Sequence, residues 1–296
     1  GRSHDALMFL REDKENKSKL HLAFAYNQQI PFEPGKLSGN EYLGVNNYKT
    51  MVFGWWNKRF EKGSMSVLFH NDGRQVPTDS SMAYRQTYGF IGDINFGNIK
   101  LDGEFYYQGG KNGNGVDLSA SMIMLHATLK TKITPITLGF EYISGSSLAD
   151  NTDKSFNPLY GTNHKFNGFM DYFYVGNPHG QGGKISGLLE LHLKTKFKVS
   201  KKSVLAASVH YFASPVKIYK TMDTSGETYG AGLGTEVDLV YIVKVAKDVK
   251  LVLGYSQMFG TETLEVVKGG GDKSVINNWA WAMIAFKPQL FTTAKK

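Results

Sequence analysis

The chain reads as all-β: an antiparallel up-and-down β-barrel that crosses a membrane with its strands. Three observations predict this. Six runs of alternating apolar residues each end on an aromatic, most candidate strands are long, and tight turns alternate with long loops. Period-two alternation gives a strand one apolar face. An aromatic repeated at the same end of that face marks a plane that the strands all cross, as a membrane interface does.

The strands are expected, in order, at 5–11, 20–28, 48–59, 64–71, 83–96, 99–108, 118–130, 136–144, 188–199, 204–213, 229–245, 249–258 and 278–286. The clearest alternations are Leu20, Leu22, Phe24, Tyr26; Met65, Val67, Phe69; and Ile99, Leu101, Phe105, Tyr107. Equally regular are Ile136, Leu138, Phe140, Tyr142; Leu205, Ala207, Val209, Tyr211; and Val249, Leu251, Leu253, Tyr255. Most of these segments reach about ten residues, the length a membrane-crossing strand needs, against a mode of about 5 to 6 in soluble proteins. No apolar stretch approaches the roughly 20 residues of a spanning helix.

Tight connections are expected at 12–18, 60–63, 97–98, 132–135, 200–203 and 246–248, and long loops at 30–47, 72–82, 109–116, 145–187, 214–228 and 259–277. Short turns at one end and long loops at the other is the pattern of outer-membrane barrels. Tyr26, Phe69, Tyr107, Tyr142, Tyr211 and Tyr255 then form a girdle on the long-loop side, joined by Trp279. The first residue is Gly1, and nothing near it has the order of a signal peptide. With about thirteen strands, parity puts Gly1 on the extracellular side, so an odd number of further strands is expected before it.

The other half of each alternation faces inward. From 188–199 this gives Glu190, His192, Lys194, Lys196 and Lys198; elsewhere it gives Arg85, Lys100, Asp102, Glu104, His126, Lys130, Glu236 and Asp238. A polar, charged interior means water. Arg85, Lys100, Glu104, His126, Lys130, Glu190, His192, Lys194, Glu236 and Asp238 are therefore the expected pore-lining residues. Close to a tight turn, Lys196 and Lys198 can instead snorkel to the interface.

The connection 145–187 is the richest segment, with Phe156-Asn-Pro-Leu-Tyr-Gly-Thr-Asn-His-Lys-Phe-Asn-Gly-Phe-Met-Asp-Tyr-Phe-Tyr174 at its centre. Loops beyond about 12 to 15 residues are usually functional or disordered, and this one has material for a small core. It is expected to fold inward or cap the mouth, with Tyr160, Asn163, His164, Lys165, Asp171 and Tyr172 contacting solute; a self-packed loop is the alternative. This block, with Gly1-Arg-Ser-His-Asp-Ala-Leu-Met8, resembles the alginate export family of Gram-negative outer-membrane porins, along essentially the whole chain. The resemblance implies a monomeric barrel of roughly 18 strands, about five of them before Gly1, and a basic pore for an anionic polyuronate. The chain departs from the family's arginine-rich constriction: its arginines are Arg2, Arg11, Arg59, Arg74 and Arg85.

Other chemistry finds little support. The net charge of +8 favours an anionic partner without choosing one, and the lysines are scattered without a nucleic-acid motif. There is no cysteine, and neither His164 with Asp171, His179, nor His70 with Asp72 has a metal-ligand spacing. Ser208 and His210 share a face but lack an orienting acid and an oxyanion site, so no enzyme is expected, nor a metal or cofactor. The glycine-rich segments 109–115 and 268–272 lack phosphate-loop spacing. The expectation is one barrel domain over 1–296 in the outer membrane, contacting lipid and passing anionic polysaccharide or small anions by diffusion. A non-conducting structural or surface-binding barrel is the alternative.

Overall fold

The computed structural model describes residues 4–27, 48–76, 81–160 and 166–288. Its strands are β1 (Ala6–Asp13), β2 (Ser18–Tyr26), β3 (Thr50–Arg59), β4 (Gly63–Gln75), β5 (Met82–Phe96), β6 (Ile99–Lys111), β7 (Asp117–Lys130) and β8 (Pro135–Ile143). Then follow β9 (Gly180–Gln181), β10 (Lys184–Ile185), β11 (Leu188–Lys198), β12 (Ser203–Ala213), β13 (Gly232–Ala246), β14 (Val249–Gly260), helix α1 (Glu262–Val267) and β15 (Asn277–Phe286). All but β9 and β10 form one 13-stranded antiparallel sheet in sequence order. Every expected strand is present in it. Among the described residues β1 and β15 are its two ends and do not pair.

The two faces differ as the alternation requires. Leu191, Leu193, Val209, Leu253, Phe105 and Leu138 are exposed on one face, while Glu190, His192, His210, Glu236, Asp238 and Ser256 are buried on the other. Exposed apolar walls and buried charge invert the soluble pattern and suit a sheet with lipid outside. The expected girdle residues lie on the outer face, and Phe69 pairs across with Tyr88, which pairs with Tyr107. Trp279 is the exception. It pairs with Ser256, whose buried side chain points inward, so Trp279 shares the inner face with Trp281.

Strands β4 and β6 run past the expected loop starts, to Gln75 and Lys111. The β4 extension pairs with β5 through Asp72↔Arg85 and Arg74↔Ala83, and charge pairing on the inner face holds a ladder there that apolar alternation does not reveal. The expected 259–277 loop contains α1. Thr261 caps it, its hydroxyl accepting from the Leu264 amide at 3.3 Å; Glu262 and Glu265 sit in its first turn, and Leu264 and Val267 are buried. At six residues it depends on that packing.

The apolar core sits on the inner face at the long-loop end. It unites Leu118, Phe156, Phe173, Leu188, Phe212, Leu233, Met258 and Leu264, drawn from wall strands, α1 and the 145–187 connection.

Candidate functional site: a loop tied to the inner wall

A row of directly paired inner residues crosses six strands: Asp102, His126, Gly139, His192, His210 and Glu236. Gly139 is the notch in this row. A Cβ there would stand 2.0 Å from His192 Nε2 and 2.7 Å from a ring carbon of His126, so only glycine lets these two rings approach to 5.1 Å. His126 Nδ1 lies 2.9 Å from Asp102 Oδ2, and Lys100 lies 3.1 Å from Asp102 Oδ1.

Glu190 is the hub. Its Oε1 accepts from His192 Nδ1 at 2.8 Å and His210 Nδ1 at 2.7 Å. Both Nδ1 atoms donate to this carboxylate in a charge-assisted group, while His192 Nε2 is buried without a hydrogen-bond partner among the described residues. His210 Nε2 continues to Asp238 Oδ2 at 3.4 Å, and Asp238 also accepts from Ser256 Oγ at 2.5 Å. The carboxylate and the two imidazoles have donor atoms within 4.8 Å of one another, a spacing from which a metal ion could be held. The hydrogen bonds already account for that spacing.

The long connection reaches this wall. Asn167 Nδ2 donates to Glu141 Oε2 at 2.7 Å and to Glu190 Oε2 at 2.6 Å, and the Met170 amide donates to Glu236 Oε1 at 2.9 Å. Gly168, with φ of +82°, lies between them, and a Cβ there would meet the Glu236 carboxylate at 2.5 Å. One short segment thus contacts carboxylates on β8, β11 and β13.

Beyond these bonds the loop packs on itself, on Phe212 of β12 and on the end of α1. Phe173 lies 4.9 Å from Phe212 and 5.1 Å from His179, ring centre to ring centre. Burial, with the nearby Lys268 charge, holds the His179 pKa down to about 4, so the ring is neutral. Lys268 donates to the Tyr172 and Pro178 carbonyls and lies 5.9 Å above the Tyr172 ring; burial lowers its pKa to about 8.

The expected pore-lining residues separate into groups. Glu190, His192, His126, Asp238 and Glu236 meet in the network above. Arg85 is 3% exposed and gives both ends of a fork to Asp72, at 3.0 Å each, which compensates its charge. Glu104 accepts from the Tyr106 hydroxyl at 2.8 Å. Lys194 pairs in register with Ser208 and Thr137, while Lys130, at the short-turn end, reaches Asn95 Oδ1 at 3.3 Å. Of the expected loop contacts, Asn163, His164 and Lys165 lie outside the described residues. Tyr160 stands edge-on to Tyr48, His4 and His70 at 5.1–5.5 Å, whereas Tyr172 lies under Lys268. Asp171 has φ of 54° and accepts at its carbonyl from Asn177 Nδ2. Sequence reasoning misses Asn167, Glu141 and Gly139, and weighs His210 only beside Ser208, not as a partner of Glu190. The alternation of β8 and β12 marks Gly139, Glu141 and His210 as inward, but nothing marks Asn167.

A cavity of about 480 Å³ lies beside this contact, between the loop and β3 to β8. Met122, Met124, Phe53, Phe156 and Phe166 give it an apolar lining, with Glu104 and Glu141 on its wall.

Against solved structures the decisive likeness is to outer-membrane channels of one type. The sheet has the fold of an outer-membrane porin. OpdK of Pseudomonas aeruginosa matches with a TM-score of 0.56 at 7% identity over 96% of this chain and 69% of its own, and one OpdK structure was determined with vanillate. OccAB4 of Acinetobacter baumannii matches with a TM-score of 0.52 at 13% identity, over 95% of this chain and 66% of its own. A variant of OccD1 (OprD) matches with a TM-score of 0.54 at 11% identity, over 94% and 68%. These porins are outer-membrane proteins of the Occ/OprD type, and the likeness does not support the expected alginate export family. No protein-family model and no curated protein matches the chain.

Proposed function

We propose that this chain forms the wall of an outer-membrane channel through which small hydrophilic solutes diffuse, narrowed by the 145–187 connection. The observation that carries this reading is Asn167, bonded to Glu141 and Glu190 on the inner wall, because it sets a loop across a polar, charged face opposite an apolar one. An apolar exterior belongs in hydrocarbon, and a charged interior belongs in water. Planar-bilayer recording of the full-length protein tests it. Discrete conductance steps are expected, and deletion of 155–176 should enlarge them. A silent wild type that conducts only after the deletion would favour a plugged structural barrel, a reading to which the three loop-to-carboxylate bonds lend weight.

The finer reading is an anionic solute, with an alginate-like polyuronate as its extended form. It draws support from Lys130, Lys194, Lys196 and Lys198 toward the short-turn end, and from the aromatic carboxylate found with OpdK. Arg85 and His192 contribute less, since carboxylates already compensate them. Reversal potentials in a salt gradient measure the preference. Cation selectivity together with an absence of block by polyuronate would remove it.

A further inference from the structure

The cavity beneath the loop has a chemistry different from the lysine-bearing half of the wall. Glu104, Met124 and Glu141 are direct cross-strand partners, so two carboxylates flank one thioether on its floor. Among the described residues Glu104 accepts from Tyr106 alone, and Glu141 from Asn167 alone. Among the described residues neither carboxylate makes an ion pair with lysine or arginine, Lys194 acting on Glu141 only from a distance, and no lysine or arginine lines the cavity. Glu141 is buried and Glu104 half-buried, and a buried carboxylate is normally paired with a cation.

A second, independent observation comes from the opposite end of the cavity. His70 and Thr87 are paired across β4 and β5, 8% and 6% exposed, and both line it. Among the described residues both ring nitrogens of His70 and the hydroxyl of Thr87 have no hydrogen-bond partner. The nearest carboxylate oxygen to His70 Nδ1, on Asp72, is 3.7 Å away, beyond hydrogen-bond reach. Native proteins rarely leave such groups buried and unmatched, so they point to a missing partner. Methionine and aromatic side chains complete the lining, Met51 and Phe53 on β3 beside His70, Met122 and Met124 on β7, and Phe156 and Phe166 on the loop. Methionine adapts to varied apolar shapes, and aromatic faces favour a cation.

We infer that the cavity binds a small amphipathic amine: an aromatic or aliphatic body with one ammonium at Glu104 and Glu141 and a neutral hydroxyl at the far end meeting His70 and Thr87. The volume lies within the range of about 300–1,000 Å³ usual for small-molecule sites. The inference names a solute for the proposed channel and rests on that reading only for the route of entry. It gives the lumen two signs, basic at the short-turn end and acidic beneath the loop.

The test is isothermal titration calorimetry of the full-length protein, folded in detergent, with three probes. Tyramine carries both polar ends, phenethylamine lacks the hydroxyl, and 4-hydroxyphenylacetate replaces the ammonium by a carboxylate on the same ring. Tyramine is expected to bind at least about tenfold more tightly than the carboxylate. Glu104→Gln, which leaves the Asn167 contact in place, should weaken tyramine by about tenfold, and Thr87→Val should weaken tyramine while leaving phenethylamine unchanged. Gel mobility before and after boiling checks that each variant is folded. Equal or tighter binding of the carboxylate, or tyramine binding untouched by Glu104→Gln in a folded protein, overturns the inference. Bilayer recording separates the two proposals: conductance without tyramine binding removes only this one, and binding without conductance removes only the channel.

Discussion

At the scale of single residues, much of the inner wall depends on one missing side chain. Gly139 makes room for His126 and His192, and through His192 for the bonds that converge on Glu190. Gly139→Val is therefore expected to push the His192 ring off Glu190 and destabilise the barrel by about 1–3 kcal/mol, read as a lower temperature at which the folded gel band is lost. Glu190→Gln should have an effect of similar size for another reason. It removes the charge that two buried imidazole donors share, a loss of about 1–3 kcal/mol. Asn167→Ala is milder for the wall but frees the loop, so its expected readout is larger or noisier conductance with an unchanged melting temperature. The alternation of apolar residues makes the inward side of Glu190, His192 and Glu141 legible in the sequence. Their meeting is not legible, because it depends on cross-strand register and on the space left at residue 139.

At the scale of elements, the 145–187 connection is a small folded unit with a titratable centre. His179 is 1% exposed between Phe173 and Tyr174, within 3.2 Å of the Gly187 carbonyl, with the Lys268 charge nearby. Its pKa falls from 6.5 to about 4 in the docked loop, so between those values the undocked loop holds more protons. The His179 contribution to docking is accordingly full above pH 6.5 and weakens as pH falls toward 4, by about 3 kcal/mol at the lower end. Lys268 stays charged throughout that window and adds no slope. Limited proteolysis of the loop against pH should show cleavage rising below pH 6, and His179→Leu should flatten the profile. Phe173→Ala should release the loop at every pH, since truncating a buried phenylalanine costs about 3–5 kcal/mol. The loop's aromatic composition announces a core, but not its partners. Phe212 and Leu264 lie far along the chain, and a run of polar residues hides the short helix that supplies Leu264.

At the scale of the whole molecule, the sheet order and its two faces follow from period-two patterning repeated over thirteen strands, a signal that survives when each strand's own evidence is weak. The misplacement of Trp279 has the same origin: a single aromatic near a strand end fits either face until register fixes it. The exposed belt makes a further prediction. Leu191→Arg, on the outer face, should cost about 2–4 kcal/mol in bilayers if it lies near the midplane, measured by urea titration in liposomes, whereas a charge exchanged on the inner face should not. The bonds from the connection to the wall also carry information about time. Asn167 reaches partners 26 and 23 residues away, whereas Met170 must wait for Glu236, 66 residues later. Contacts of long sequence separation form only after their loops close. The connection can therefore complete its bonds to the wall only once β13 has joined the sheet, so Asn167 can be in place while the Met170 end of the segment is still untied.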